Sequence, residues 1–263
     1  MTHPLITLTT DFGCADGTVG AMIGVIKSIC PTAEVVSIAH DIPPHDIVHG
    51  AWALYQSAPF FPSGTIHLAV VDPGVGTKRR AILVETGKGY LLGPDNGMLV
   101  WAVEAMGVMR QFAIENTPYR LGPRGLTFDG RDLFAAVAAH LANGIEPAGI
   151  GDDIPAIVDL SWPEPNVSAG RIEGEVLLDD QFGNLVTNIS AAMLADVFGD
   201  AGVLVILDNR PIGGLSHGYA AIEGHLGAVI NGTGLLEIAV PEGSAAALTG
   251  GRRCDKVVVT GRV

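Results

Sequence analysis

Residues 5–10 read Leu-Ile-Thr-Leu-Thr-Thr, an apolar run ending in polar residues, and predict a strand that enters a loop. Residues 17–30 then place Val19, Met22, Ile23, Ile26 and Ile29 on one helical face, with Pro31 as the stop. Val35 to Ile38 predicts a second strand, and 45–58 a second amphipathic helix through Ile47, Ala51 and Leu54. Thr65 to Val71 predicts a third strand, ending at Asp72-Pro73-Gly74. Strands alternating with helices in this order imply a parallel sheet with right-handed crossovers. Ala81–Glu85 and Tyr90–Leu92 read as a hairpin, and Gly97–Met106 and Gly130–Leu141 as helices.

Beyond this the texture changes. Pro155, Pro163 and Pro165 fall close together, and after them come short strand-like runs with little helical periodicity: 174–178, 185–189, 203–207, 227–230, 235–240 and 256–259. The expected organisation is an α/β domain over 1–160 with a mainly parallel sheet, a linker at 161–170, and a smaller all-β, barrel-like domain over 171–263.

Composition narrows the function. The 263 residues are 48% hydrophobic and 16% charged, enough to bury a sizeable core. A formal net charge of −13 disfavours nucleic acid, since Arg252, Arg253 and Lys256 form too short a basic cluster. Cys14, Cys30 and Cys254 make no C-x-x-C, so buried thiols in a reducing cytoplasm are expected rather than a disulfide framework or zinc knuckle. Neither a signal peptide nor a membrane-spanning run is read, and no membrane partner is expected. His40, His45, His49 and His67 match no metal-ligand spacing, so no metal and no cofactor are expected.

Ligands of open parallel sheets bind beyond the carboxyl ends of strands, where Asp11 and Asp72 fall. In Thr9-Thr10-Asp11-Phe12-Gly13, Asp11 can take two ribose hydroxyls or simply cap a turn. In Asp72-Pro73-Gly74-Val75-Gly76-Thr77-Lys78-Arg79-Arg80, an acid faces two candidate guanidiniums across a glycine turn; a Pro-Gly turn with solvated basic residues is the simpler reading of the residues alone. Asp129 reads as the N-cap of the 130–141 helix, and Asp132 suits the positive end of its dipole. Asp179-Asp180-Gln181-Phe182-Gly183-Asn184 is a turn offering a ring and an amide to a heteroaromatic base, and Asn231-Gly232-Thr233-Gly234 a turn between strands.

Taken in order, T-T-D-F-G, H-D-I-P, D-P-G-V-G-T-x-R-R, G-P-D-N-G, T-F-x-G-R-D, D-x-F-G-N-x-x-T-N-I and N-G-T-G-L-L-E-I-A-V resemble the SAM hydroxide adenosyltransferase family, relatives of the fluorinases and chlorinases. The resemblance spans nearly the whole chain. It implies S-adenosyl-L-methionine (SAM) as substrate and a homotrimer with active sites at subunit interfaces. It also implies Asp11 on the ribose, Asp179 near the methionine end, Phe182 and Asn184 on the adenine, and Asn231, Gly232 and Thr233 close to methionine and adenine. Relatives usually carry Ser where Gly232 stands. Their water-handling triad is Asp, Arg and His, matched here by Asp72 and Arg79, whereas Asp129 stands in place of the histidine. Fluorinase-like relatives carry a tyrosine where Asp72 stands, so the resemblance implies SAM hydrolysis to adenosine and methionine. A halide or other-nucleophile adenosyltransferase, or a SAM-binding protein that has lost turnover, are the alternatives.

Overall fold

The computed structural model describes residues 3–114, 117–122 and 127–262. The chain divides into two compact units, Met1–Leu160 and Ser161–Val263.

The first unit contains β1 (Leu5–Thr10), α1 (Thr18–Ile29), β2 (Glu34–Ala39), α2 (Ile47–Ser57), β3 (Thr65–Val70), β4 (Ala81–Thr86), β5 (Gly89–Pro94), α3 (Val100–Met106), β6 (Val108–Ala113), α4 (Ala136–Ala142) and β7 (Asp152–Asp153). Its sheet runs β2-β1-β3-β5-β4-β6-β7. The first four strands pair in parallel, and β4, β6 and β7 add antiparallel pairings. Alternation along the central strands decides which helices cover which face. Ile6, Leu8, Ile66, Leu68 and Val70 pack with Met22 and Ile26 of α1 and Val137 of α4. On the other face Ala69, Val71 and Leu91 meet Leu54 of α2 and Ala102 of α3. Each fully buried Leu or Ile here stabilises the unit by about 1.5–3 kcal/mol.

The second unit contains β8 (Asn166–Ser168), β9 (Arg171–Asp179), β10 (Leu185–Ser190), α5 (Ala191–Phe198), β11 (Val203–Leu207), β12 (Arg210–Gly213), β13 (Gly227–Ile230), β14 (Leu235–Ala239), α6 (Ala245–Thr249) and β15 (Lys256–Gly261). Its pairings are antiparallel, in the order β12-β11-β15-β9-β10-β14-β13. Leu215, just past β12, bridges Ala228 of β13, and Ser216 N donates to Ala228 O at 2.8 Å. The sheet thus nearly closes into a barrel, with Ile172, Val176, Leu185, Val205, Leu236 and Val257 inside.

The barrel-like β half also carries two short helices: α5 begins at Ser190, whose side chain accepts from Met193 N, and α6 at Ser244, which accepts from Ala247 N. At eight and five residues they are too short to show periodicity. One expectation is corrected at Asp129. Its backbone is already helical, its side chain makes no cap hydrogen bond, and the first turns, Gly130–Ala135, are wound as a π-helix before α4. Residues 166–168, inside the expected 161–170 linker, form β8 and pair antiparallel to β9.

Candidate active site

Adjacent parallel strands β1 and β3 finish in register, with Thr10 opposite Val70, so Asp11 and Asp72 leave the same edge of the sheet. The loop carrying Asp11 is fastened to the loop after β2. Gly13 N donates to His40 O at 2.8 Å, the Thr10 hydroxyl meets His40 Nδ1 at 2.9 Å, and His45 N donates to Asp11 Oδ2 at 2.9 Å. His45 reaches that position with φ +68, a left-handed conformation unusual for a residue with a Cβ. Asp11 is therefore oriented by a backbone donor.

Asp72 is gripped by Arg79. Arg79 Nε donates to both carboxylate oxygens, at 3.1 and 3.0 Å, and Nη2 donates to Oδ2 at 2.5 Å. The turn is close at Gly74, where a Cβ would lie 3.1 Å from Arg79 Cγ, tighter than ordinary contact. Asn96 supports the strand end by donating to Val71 O at 2.8 Å. The second guanidinium, Arg80, turns away to Asp95, whose other oxygen accepts from Val158 N. D-P-G-V-G-T-x-R-R and G-P-D-N-G thus share one function, building the Asp72 corner.

Arg79 Nη2 also donates to Asp129 Oδ2 at 2.6 Å, so the structure brings Asp72, Arg79 and Asp129 together. All three side chains are buried, 5–10% exposed, which excludes the solvated-basic reading of Arg79. Burial pulls the Arg79 pKa down, but the hydrogen bonds and charge of Asp72, and then of Asp129, outweigh it and leave it raised. The guanidinium also lies 5.6 Å from the Phe134 ring centroid. A fourth member escaped sequence reading: Arg120 Nη2 donates to Asp129 Oδ1 at 2.9 Å, with a side chain only 9% exposed. It sits in a Pro- and Gly-bearing stretch without periodicity, and the one signal for it was electrostatic, two buried carboxylates facing one identified cation. Phe12, after Asp11, packs edge-on against Phe128 at 5.8 Å and so ties the two loops together.

In the second unit, Asp180, Phe182, Asn184, Tyr219 and residues 240–243 line a cavity of about 530 Å³. The Asp180 carboxylate builds the turn, accepting from Phe182 N, Asn184 N and Asn184 Nδ2 at 2.9–3.0 Å. Gly183 is required there: φ is +77, and a Cβ would lie 2.1 Å from Ser244 Oγ. The Phe182 ring is held out, 75% exposed. Asp179 ends β9 exposed, outside the described lining of the cavity. Asn231 and Thr233 build their own turn: Asn231 Oδ1 accepts from Thr233 N, Thr233 Oγ1 and Leu235 N, and its Nδ2 donates to Glu237 Oε2 at 3.1 Å. Sequence reading also missed Tyr219, whose hydroxyl donates to buried Glu237 at 2.7 Å. Burial pushes the Glu237 carboxyl upward against the pull of those two donors.

A buried acid–guanidinium cluster at the carboxyl ends of parallel strands is the arrangement of an α/β enzyme. Residues 6–151 match the SAM hydroxide adenosyltransferase N-terminal domain and residues 174–258 its C-terminal domain, so the chain belongs to the SAM hydroxide adenosyltransferase family. It is 39% identical over 260 residues, 98% of each chain, to a protein of Salinispora arenicola named (R)-S-adenosyl-L-methionine hydrolase. A protein of that name from Thermus thermophilus is 37% identical over 90% of this chain and 91% of its own. A fluorinase of an Actinoplanes species stands further off, at 30% over 71% of this chain and 72% of its own. Among solved structures, an uncharacterized conserved protein from Thermotoga maritima matches with a TM-score of 0.90 at 33% identity, covering 97% of this chain and 99% of that one.

Proposed function

We propose that this chain hydrolyses S-adenosyl-L-methionine to adenosine and L-methionine, with water as the nucleophile at C5′. The observation that carries the reading is the buried Asp72 carboxylate locked by three Arg79 hydrogen bonds, in a family whose relatives at 37–39% identity are named for this hydrolysis.

The bookkeeping of the reaction fits such a site. The water oxygen bonds to C5′, the C5′–S bond breaks, and its electron pair stays on sulfur as the neutral thioether of methionine. The leaving group needs no proton, so the residues have one proton to handle, that of the attacking water. Asp72 aligns the water and accepts that proton, and Arg79 fixes the carboxylate in one orientation so that attack is in line. Asp129 shares Arg79 and completes the wall beside the water.

The nucleophile is selected at the same place. A halide about 4 Å from an ionised carboxylate is repelled by about 4 kcal/mol at an effective dielectric near 20. Two carboxylates and two guanidiniums make the cluster neutral as a whole, so this repulsion is local to the Asp72 oxygens.

For the substrate, Asp11 takes the ribose hydroxyls, and Phe182 and Asn184 take the adenine. The exposed Phe182 ring supports stacking, and Asn184, whose Nδ2 is given to Asp180, keeps its carbonyl oxygen as an acceptor. Asp179 takes the methionine ammonium. Asn231 and Thr233 act through the turn they build. The protein works as a cytoplasmic homotrimer whose sites draw on the two units from different chains, a reading that rests on the family resemblance; of the three free thiols only Cys30 is buried as expected, and Cys14 and Cys254 are exposed. Light scattering then reports three chains, and a monomer that turns over SAM refutes the assembly.

The activity is tested by incubating protein and SAM with excess chloride and separating the products. Adenosine with no 5′-chloro-5′-deoxyadenosine is expected; the chloro-nucleoside makes the protein a halide adenosyltransferase, and bound but unchanged SAM makes it a binding protein.

A further inference from the structure

Asp129 touches two guanidiniums. Arg79 approaches Oδ2 at 2.6 Å and Arg120 approaches Oδ1 at 2.9 Å, while Arg79 is itself committed to Asp72. Without Arg120, two carboxylates, each 5% exposed, would share a single cation. With it the cluster carries two negative and two positive charges.

Arg120 is also fixed in place rather than hanging from a loose loop. Tyr119 before it packs at a tilt against the His140 ring of α4, centroids 4.8 Å apart, and Leu121 N after it donates to Asp132 O at 2.7 Å. The backbone around Arg120 is therefore fastened to the π-helical turns that carry Asp129. Among the described residues nothing accepts from the buried Nε and Nη1 of Arg120, so its described polar partner is Asp129.

Resting on the hydrolase reading, we propose that Arg120 is a positioning residue for the reaction. It supplies the second cation that holds Asp129 turned toward Arg79, and so leaves Arg79 to orient Asp72. Arg120 acts through Asp129 and does not touch the reacting atoms.

The test is a double-variant cycle on the full-length protein, with kcat and KM for SAM read per folded molecule. Arg120→Met is expected to lower kcat 10- to 100-fold at unchanged KM, and Arg120→Lys, which keeps the charge without the fork, to recover part of that loss. The charge-balanced Arg120→Met/Asp129→Asn pair is expected to match Asp129→Asn alone within about twofold. Should Arg120→Met fail to fold, Arg120→Lys and the balanced pair carry the test. A wild-type kcat in Arg120→Met, or a double variant whose loss is the product of the two single losses, overturns the proposal. Absence of adenosine from the wild-type protein overturns the hydrolase reading itself, an outcome distinct from wild-type turnover that Arg120→Met leaves unchanged.

Discussion

Replacing Asp129 by Asn separates a helix cap from a bridging carboxylate. An Asn caps a helix as well as an Asp does, so if capping were the role of this residue the melting temperature would hardly move. The structure predicts otherwise. Asp129 accepts one charge-assisted hydrogen bond at each oxygen, from Arg79 and from Arg120, and makes no cap bond. Asn keeps one acceptor and turns an NH₂ group toward the other guanidinium, losing a bond of about 1.5–3 kcal/mol and setting a donor against a donor. It also leaves a buried cation without its counter-charge, and breaking a buried pair from one side costs about 3–5 kcal/mol. These are two views of one loss, so about 3–5 kcal/mol is the expected destabilisation. For a unit of this size, that lowers the melting temperature by roughly 6–20 °C. Circular dichroism melts at pH 7.5 measure it, alongside SAM turnover well below the midpoint. A midpoint within 2 °C of wild type, together with an unchanged rate, would refute the bridging role.

Other outcomes follow from the same geometry. Asp72→Ala should keep SAM binding by calorimetry and lower turnover by ~10²–10⁴, the range for a lost general base; a wild-type rate removes Asp72 from the chemistry. His67, buried on β3 beside β1, has Nδ1 on the Thr7 hydroxyl, and burial pushes its pKa from 6.5 down to about 4. The folded protein keeps this imidazole neutral while the unfolded chain protonates it below pH 6.5, so stability is lost as pH falls from about 6.5 to about 4 and levels off below. The expected difference is about 3 kcal/mol. Urea midpoints at pH 7 and pH 4 for wild type and His67→Asn measure it, and a pH-independent gap between the two proteins contradicts it. Gly183→Ala should destabilise the second unit by at least about 1–2 kcal/mol, since φ +77 and the Ser244 contact both oppose a Cβ; a wild-type unfolding curve would show that this turn relaxes freely.

The parallel core was legible because its physics is local. Apolar alternation and helical spacing gave β1 through β3 with α1 and α2 nearly to the residue, since these elements bury continuous faces. The barrel-like β character of the second half was legible from its short strand-like runs and the turns between them. Its short helices were not, because α5 and α6 are specified by a capping serine and too few turns for a period. At the site, the glycine-rich turn made an acid–cation pair at Asp72 readable beside a plain turn with solvated basic residues. The choice of Arg79 over Arg80 came only with the family resemblance, because it depends on Asp95 claiming Arg80 from another strand. Arg120 was illegible for the same reason: its partner is set by how residues 117–122 pack on the π-helical turns. Asp129 looked like a cap because cap propensity is a local prior, and a buried ion pair with two guanidiniums outweighs it.

The central claim is that water, oriented at Asp72, attacks C5′ of SAM. Incubation in ¹⁸O-labelled water followed by mass spectrometry of the nucleoside tests it directly. The account predicts adenosine carrying one ¹⁸O at the 5′-hydroxyl beside unlabelled L-methionine, with formation slowed ~10²–10⁴-fold in Asp72→Ala. Unlabelled adenosine, or labelled adenosine formed at equal rates by both proteins, would contradict it.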